Sequence, residues 1–407
     1  MNRHTRNYSL FFVIVLLIVS CLSGCGKQDV ISSADETTEH PRETTTETDC
    51  NRAFSNSTGY YSACETEEAL YFFGVGRQNQ YSYIMCYDKL SDQCFPLCGK
   101  ADCRHNDSTC NAYINGKCFG LSAYNRKLYW LNRFSDGKSI YKICSCNFDG
   151  TDRREYELLG SVSLETVTSE HRVFFHRDSV YFYGSNNIVE EGKAYKDHYL
   201  FRCSVSGGET ETVFAERLNG TVYIEPYTNH VYIAESGSDA DGSGILTLKA
   251  YNIETGTIHD VGSYTAENAF LIYAMWADEK AVYLSVSGKE KIYRIDLATA
   301  VLDVPFILDE ENKYCKNVNF GDDRIFTAKN DPSVFMIGAL DFSGKTIMEQ
   351  DYHFAFLQPG KMYSIFFVGS DLENAYIFFM DISKENISRF IAFPFDGSEA
   401  RILWSNE

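Results

Sequence analysis

A pattern that returns about every fifty residues constrains this chain more than any other feature. A short apolar segment centred on an aromatic residue recurs. It appears as Leu70-Tyr71-Phe72, Leu128-Tyr129-Trp130, Val180-Tyr181-Phe182, Val231-Tyr232-Ile233, Val282-Tyr283-Leu284, Ile325-Phe326-Thr327 and Ala375-Tyr376-Ile377. The central aromatics lie 58, 52, 51, 51, 43 and 50 residues apart. A polar turn follows each segment, then a second strand ending at Asp88, Asn147, Ser204, Asn252, Asp296, Asp341 or Pro394. Turn residues come next in several units, as in Asn147-Phe148-Asp149-Gly150, Asp341-Phe342-Ser343-Gly344 and Pro394-Phe395-Asp396-Gly397.

Self-similarity at this period marks a repeat architecture. Seven units with about four short strands each match an all-β, single β-propeller. Further apolar stretches, such as Phe119-Gly120-Leu121 and Ser364 to Val368, read as inner strands. Glu155-Tyr156-Glu157-Leu158 reads as an outer strand. The 28 Tyr and 29 Phe against 7 Pro favour strands. No stretch keeps a helical spacing. A sheet that is apolar on both faces is not stable alone, so such units must close into a ring. The pattern begins near Gly59-Tyr60-Tyr61 and ends near Arg401-Ile402-Leu403-Trp404, so the first and last blades are each continuous in sequence. Six or eight blades, or two stacked sandwiches, are the alternatives.

The first 24 residues read as a lipoprotein signal peptide. Arg3, His4 and Arg6 precede the apolar run Leu10 to Val19, and Leu22-Ser23-Gly24-Cys25 closes it. The run is shorter than the ~20 residues that a membrane span requires. Leu-Ser-Gly-Cys resembles the bacterial lipobox, which implies cleavage before Cys25 and lipid on its sulfur. An uncleaved signal anchor and cleavage at Cys21 are the other readings. Residues 25–55 form a Thr- and Glu-rich linker too polar to bury a core, so a disordered stalk is expected, with the propeller over 56–407. This places the protein outside the cytoplasm, held by membrane lipid through Cys25. The net charge is −19, and two units more negative without Arg3 and Arg6. Such a chain is a poor nucleic-acid binder. A monomer is expected.

One stretch concentrates chemistry. Cys98, Cys103, His105 and Cys110 follow the spacing C-x4-C-x-H-x4-C, inside a Cys-rich insertion at about 86–118 between blades one and two. Cys86, Cys94 and Cys118 flank it. Three thiolates and an imidazole make a tetrahedral zinc set. In an exported protein clustered cysteines are more often disulfides, and the sequence assigns no pairs. A free reactive thiol is the third reading. Either staple gives the stretch a structural role. Asp102 and Asp107 are the only nearby candidates for a general base.

These residues carry a resemblance. The lipobox, the stalk, the repeats and the Pro-Leu-Cys…Asp-Cys…His…Cys-Asn-Ala stretch look like a set of β-propeller lipoproteins from gut clostridia, similar to TolB-like and DUF5050-type propellers. The resemblance spans essentially the whole chain and implies fold and location. It implies no activity.

No nucleophile elbow, His-Glu-x-x-His or phosphate loop occurs. His171 and His176 sit five apart in a strand-like segment, on opposite faces. Asp239-Ala240-Asp241-Gly242 starts like a calcium loop but lacks the later ligands and reads as a hairpin tip. Trp130, Trp276 and Trp404 could stack on sugars, yet sit in strand patterns that suit a core. The leading functional reading is a surface-tethered binding or scaffold module for a glycan, a peptide or an envelope protein, with no catalytic residue and no cofactor beyond a structural zinc. One alternative is an extracellular polymer hydrolase or lyase at the channel mouth. Another is a metal- or redox-responsive module built on the Cys/His cluster.

Overall fold

The computed structural model describes residues 62–75, 82–105, 107–135, 139–160, 173–190, 192–218, 220–238, 243–266, 272–286, 291–308, 317–321, 324–331, 334–357, 363–382 and 387–407. Cys25, the leader, the stalk and Gly59 to Tyr61 lie outside them. Every regular element among the described residues is a β-strand. The strands form seven antiparallel meanders of four, at 63–96, 117–160, 173–218, 220–266, 272–307, 317–352 and 363–405. They are called blades one to seven. The recurring aromatic segments are the second strands, and the positions from Asp88 to Pro394 end or directly follow the third.

The middle strands read as continuous apolar runs because both of their faces are covered. Ala281–Val286 is buried at every position. Outermost strands mix exposed and half-buried residues, as in Thr257–Ala266. First strands approach one another between blades one and two, two and three, four and five, and five and six.

Seven buried apolar clusters hold the blades together. Each draws on two neighbouring blades, and their order is cyclic. Phe119, Tyr129, Phe175 and Phe201 join blades two and three. Trp276, Tyr283, Phe320 and Ile325 join blades five and six. The last cluster closes the ring: Leu70 and Phe72 of blade one pack with Phe378 and Phe390 of blade seven. Phe72 and Phe390 stack with centroids 4.2 Å apart. Trp404 meets the edge of Phe72 at 6.2 Å. Two face-to-face sheets cannot give cyclic contacts of this kind. Blades two and three share a further link, since Leu158–Gly160 pairs in parallel with Gly208–Thr210.

The repeat motif has a packing explanation. The residue after the third strand sits over the second-strand aromatic of the preceding blade. Phe148 stacks on Tyr71 at 5.6 Å, Phe342 meets Tyr283 at 4.5 Å, and Phe395 stacks on Phe326 at 5.7 Å. Val205, Ile253 and Leu297 occupy the matching turn positions in blades three, four and five. Blade one departs from the pattern. Its equivalent residue is Lys89, which pairs with Glu65 and donates to the Thr66 carbonyl.

The turns are set by carboxylates. Asp149 accepts from the Thr151 backbone N–H at 2.9 Å and hydroxyl at 2.6 Å. Asp341 does the same with Ser343 at 2.9 and 2.6 Å. These bonds hold both carboxyls below the usual carboxylate range. A group whose folded pKa is depressed stabilises the fold above its unfolded pKa of about 3.9 and loses that contribution as pH falls through the folded value.

Two outcomes are expected. Phe390→Ala at the closing interface should cost about 3–5 kcal/mol, seen as a lower urea midpoint. The thermal midpoint should fall as pH drops below about 4. An Asp149→Ala/Asp341→Ala double variant should be less stable at neutral pH and show a shallower acid dependence, read by calorimetry.

Candidate metal centre

The Cys-rich stretch is built into blade one, inside its outermost strand. That strand runs over Gln93–Pro96, antiparallel to Met85 to Asp88 of the third strand. It leaves the sheet after Leu97. Tyr113–Ile114 then resumes the line, paired with Ser82 and Tyr83. Ile84 marks the break from the other side. Its carbonyl accepts from the Leu97 N–H at 2.8 Å, and its N–H donates to the Ala112 carbonyl at 2.9 Å. The insertion is therefore 98–111, narrower than the 86–118 read from cysteine spacing. Cys86 and Cys94 belong to strands of blade one, and Cys118 to the first strand of blade two. They behave as small apolar residues: Cys86 and Cys118 are buried in sheet positions.

Two tight turns fold the insertion. The Cys103 N–H donates to the Lys100 carbonyl, and the Cys110 N–H to the Asp107 carbonyl, both at 3.2 Å. Asp107 is engaged in this scaffold, accepting from the Thr109 N–H at 2.8 Å and hydroxyl at 2.6 Å. Asp102 is exposed. Neither carboxylate belongs to the donor cluster. His105 adopts a left-handed backbone, with φ 52°.

This path brings Cys98, Cys103, His105 and Cys110 together, with all four ligand atoms within 4.8 Å of one another. His105 Nδ1 lies 3.3 Å from Cys110 Sγ. A zinc tetrahedron with Zn–S of about 2.3 Å and Zn–N of about 2.0 Å sets ligand separations of roughly 3.5–3.8 Å. The His105–Cys110 separation is close to that scale, and the remaining pairs lie within 4.8 Å. Cys110 is buried and the other three are half-buried. The ten described cysteines all carry free thiols.

Electrostatics separates Cys98 from the buried thiols. Burial pushes its thiol up, but backbone N–H groups of Lys100 and Asn111 point at its sulfur and bring it below the ordinary value. Burial drives Cys110 upward, against a bond from the Ala112 N–H. Elsewhere burial dominates. Cys144 and Cys146 are each pushed up to about 12, and Cys118 is also raised. Those thiols stay protonated and unreactive.

Blade two braces the base of the insertion. Arg153 donates to the carbonyls of Asn111, at 3.1 Å, and Tyr113. Its guanidinium lies over the Trp130 ring at 5.4 Å. Gly150, with φ +77°, lets the turn approach Leu97, since a Cβ there would sit 2.4 Å from the Leu97 carbonyl oxygen. Sequence reasoning found the four donors but missed Arg153. The Phe148-Asp149-Gly150 turn was visible, and the segment it packs against was not.

The remaining candidates resolve separately. His176 is buried, with Nε2 2.6 Å from the Thr228 carbonyl, so it ties blade three to blade four. His171 lies outside the described residues, as do Asp239 to Gly242. The strands flanking that tetrad pair as a hairpin. Trp130 and Trp276 are fully buried, and Trp404 packs against Phe72 and Phe378.

With the ring and the site described, the chain can be set beside known proteins. It resembles an acylaminoacyl peptidase from Pyrococcus horikoshii with a TM-score of 0.52, at 10% identity, over 85% of this chain and 52% of that one. It is similar to puromycin hydrolase with a TM-score of 0.51, at 10% identity, over 87% and 55%. Against a prolyl endopeptidase the values are 0.50, 12%, 86% and 49%. The chain spans about half the length of each. At such identity the likeness shows the propeller fold alone. No family model matches, and no curated protein does.

A thiol-labelling experiment tests the site. After chelation at pH 8, iodoacetamide should modify Cys98 well before Cys118, Cys144 or Cys146, read by peptide mass spectrometry. Equal labelling of all four would contradict the electrostatic ranking.

Proposed function

We propose that this protein is a lipid-anchored, extracytoplasmic propeller that serves as a binding or scaffold module, with zinc(II) fixing the insertion in blade one. The observation that supports this most is the completeness of the donor set. Among the described residues, one group of His, Cys, Asp and Glu atoms comes close enough to hold a metal. It offers four protein ligands for four tetrahedral positions. A catalytic zinc keeps one position for water or substrate, whereas a closed set is structural. Three sulfurs and one nitrogen suit zinc over magnesium or calcium, which prefer oxygen.

The chain spans about half the length of the peptidases that share the fold, so their activities do not transfer with the propeller. What remains is a rigid ring with loops on two faces, a form suited to recognition. Lipid on Cys25 would hold the ring at a membrane surface, and the Thr- and Glu-rich stalk would give it reach. The bound partner would be a glycan, a peptide or another envelope protein.

Protein purified without added metal should contain about one zinc per chain, and His105→Ala with Cys103→Ser should reduce this to near zero. Radiolabelled palmitate should enter the wild-type chain in cells and be absent from Cys25→Ala. A chain with no zinc and fully oxidised thiols would remove the metal part of the reading. Turnover of a polymer, without binding on glycan or peptide arrays, would replace the module by an enzyme.

A further inference from the structure

We infer that metal binding at Cys98, Cys103, His105 and Cys110 completes the outermost strand of blade one and so locks blade one to blade two. The inference rests on the zinc reading above and adds a consequence for the ring.

The outermost strand of blade one is in two pieces. Gln93–Pro96 has four residues and Tyr113–Ile114 has two. Pieces this short are marginal on their own, because a few ladder bonds do not offset the ordering of free ends. Cys98 follows Leu97, the last residue bonded to Ile84 on one side. Cys110 comes two residues before Ala112, the first bonded to Ile84 on the other. A metal bonded to both sulfurs pins the two chain ends across the gap, and ligation by Cys103 and His105 closes the loop between them. The insertion then acts as a clasp at the break in the strand.

The clasp also reaches blade two. Asn111 and Tyr113, just beyond Cys110, supply the carbonyls that Arg153 binds. Leu97, just before Cys98, faces Gly150. Phe148 of the same turn stacks on Tyr71 and accepts a bond from its hydroxyl at 3.4 Å. Leu97, Cys110, Ala112 and Ile114 are all part of the buried cluster between blades one and two. Without metal, both strand pieces lose their anchor. The third strand, Ser82–Asp88, would then present an open edge next to blade two, which is a template for pairing with another chain. Among the described residues the buried cluster at this joint draws on blades one and two.

Hydrogen exchange on the purified full chain tests this, comparing protein as isolated, chelated protein, and chelated protein given back zinc(II) or magnesium(II). On chelation, exchange at the Ile84, Leu97 and Tyr113 amides should quicken by about 10- to 50-fold, the scale set by the closure entropy of a loop this long. Zinc(II) should restore it and magnesium(II) should not. Amides in 272–352 should keep their protection. Arg153→Met should weaken protection at Tyr113 while leaving zinc stoichiometry unchanged. Zinc bound one-to-one with no change at these amides would overturn the inference and leave the zinc reading standing. Absence of zinc binding would overturn both. Loss of protection through all blades on chelation would overturn the local clasp, since the metal would then support the whole ring.

Discussion

Burial of both faces of every blade is the constraint on which this molecule depends. A four-stranded sheet with apolar residues on either side gains nothing by standing alone, because each exposed face costs about 25 cal/mol per Å² of apolar surface. Each face is covered only by another sheet, and that sheet has the same need on its far side. A row of such sheets leaves two bare ends until the last meets the first. The packing of Phe72 against Phe390 is where the row becomes a ring. Among the described residues blade one and blade seven are each made of continuous sequence, and side-chain contacts carry the closure.

The closing interface differs from the other six in its turn. Elsewhere an apolar residue from the turn after the third strand packs toward the preceding blade. At the seam that position holds Lys89, paired with Glu65. Arg401 of blade seven bonds Asp92 of blade one at 3.2 Å nearby. Apolar packing gives strength without direction, and it recurs where neighbours in sequence are also neighbours in space. Of these two pairs only Arg401–Asp92 crosses the seam, and as an exposed pair it adds direction to the packing of Phe72 on Phe390 and little strength.

The metal centre solves a different problem. An insertion of polar residues into an edge strand interrupts the ladder and leaves backbone groups to be satisfied. Here two short turns, Arg153 and the paired bonds of Ile84 satisfy many of them. The four donors gather at the mouth of the insertion. Backbone N–H groups aimed at Cys98 favour its thiolate, as metal ligation requires. The buried thiols of the neighbouring interface, with Cys144 as an example, carry the same side chain in a dry setting and stay neutral. Sequence cannot separate these two kinds of cysteine, because the difference lies in how deeply each sulfur is buried and which backbone amides come near it.

The sequence by itself determined the period, the strand identities and the donor set. Tyr71, Tyr129 and the later aromatics fall on second strands, and Trp130 and Trp276 lie in the core as strand-bound residues should. This information is local: alternation, turn chemistry and spacing are properties of a few adjacent residues. Tertiary structure alone decided the rest. That Cys98 to Asn111 interrupts an outermost strand is fixed by the bonds of Ile84 to Leu97 and Ala112, that Lys89 takes the turn position at the seam is fixed by its pairing with Glu65, and that Arg153 braces the insertion from the next blade depends on carbonyls 42 and 40 positions away. Such meetings are set by the closure of the whole, and no stretch of fifty residues contains the instruction for it.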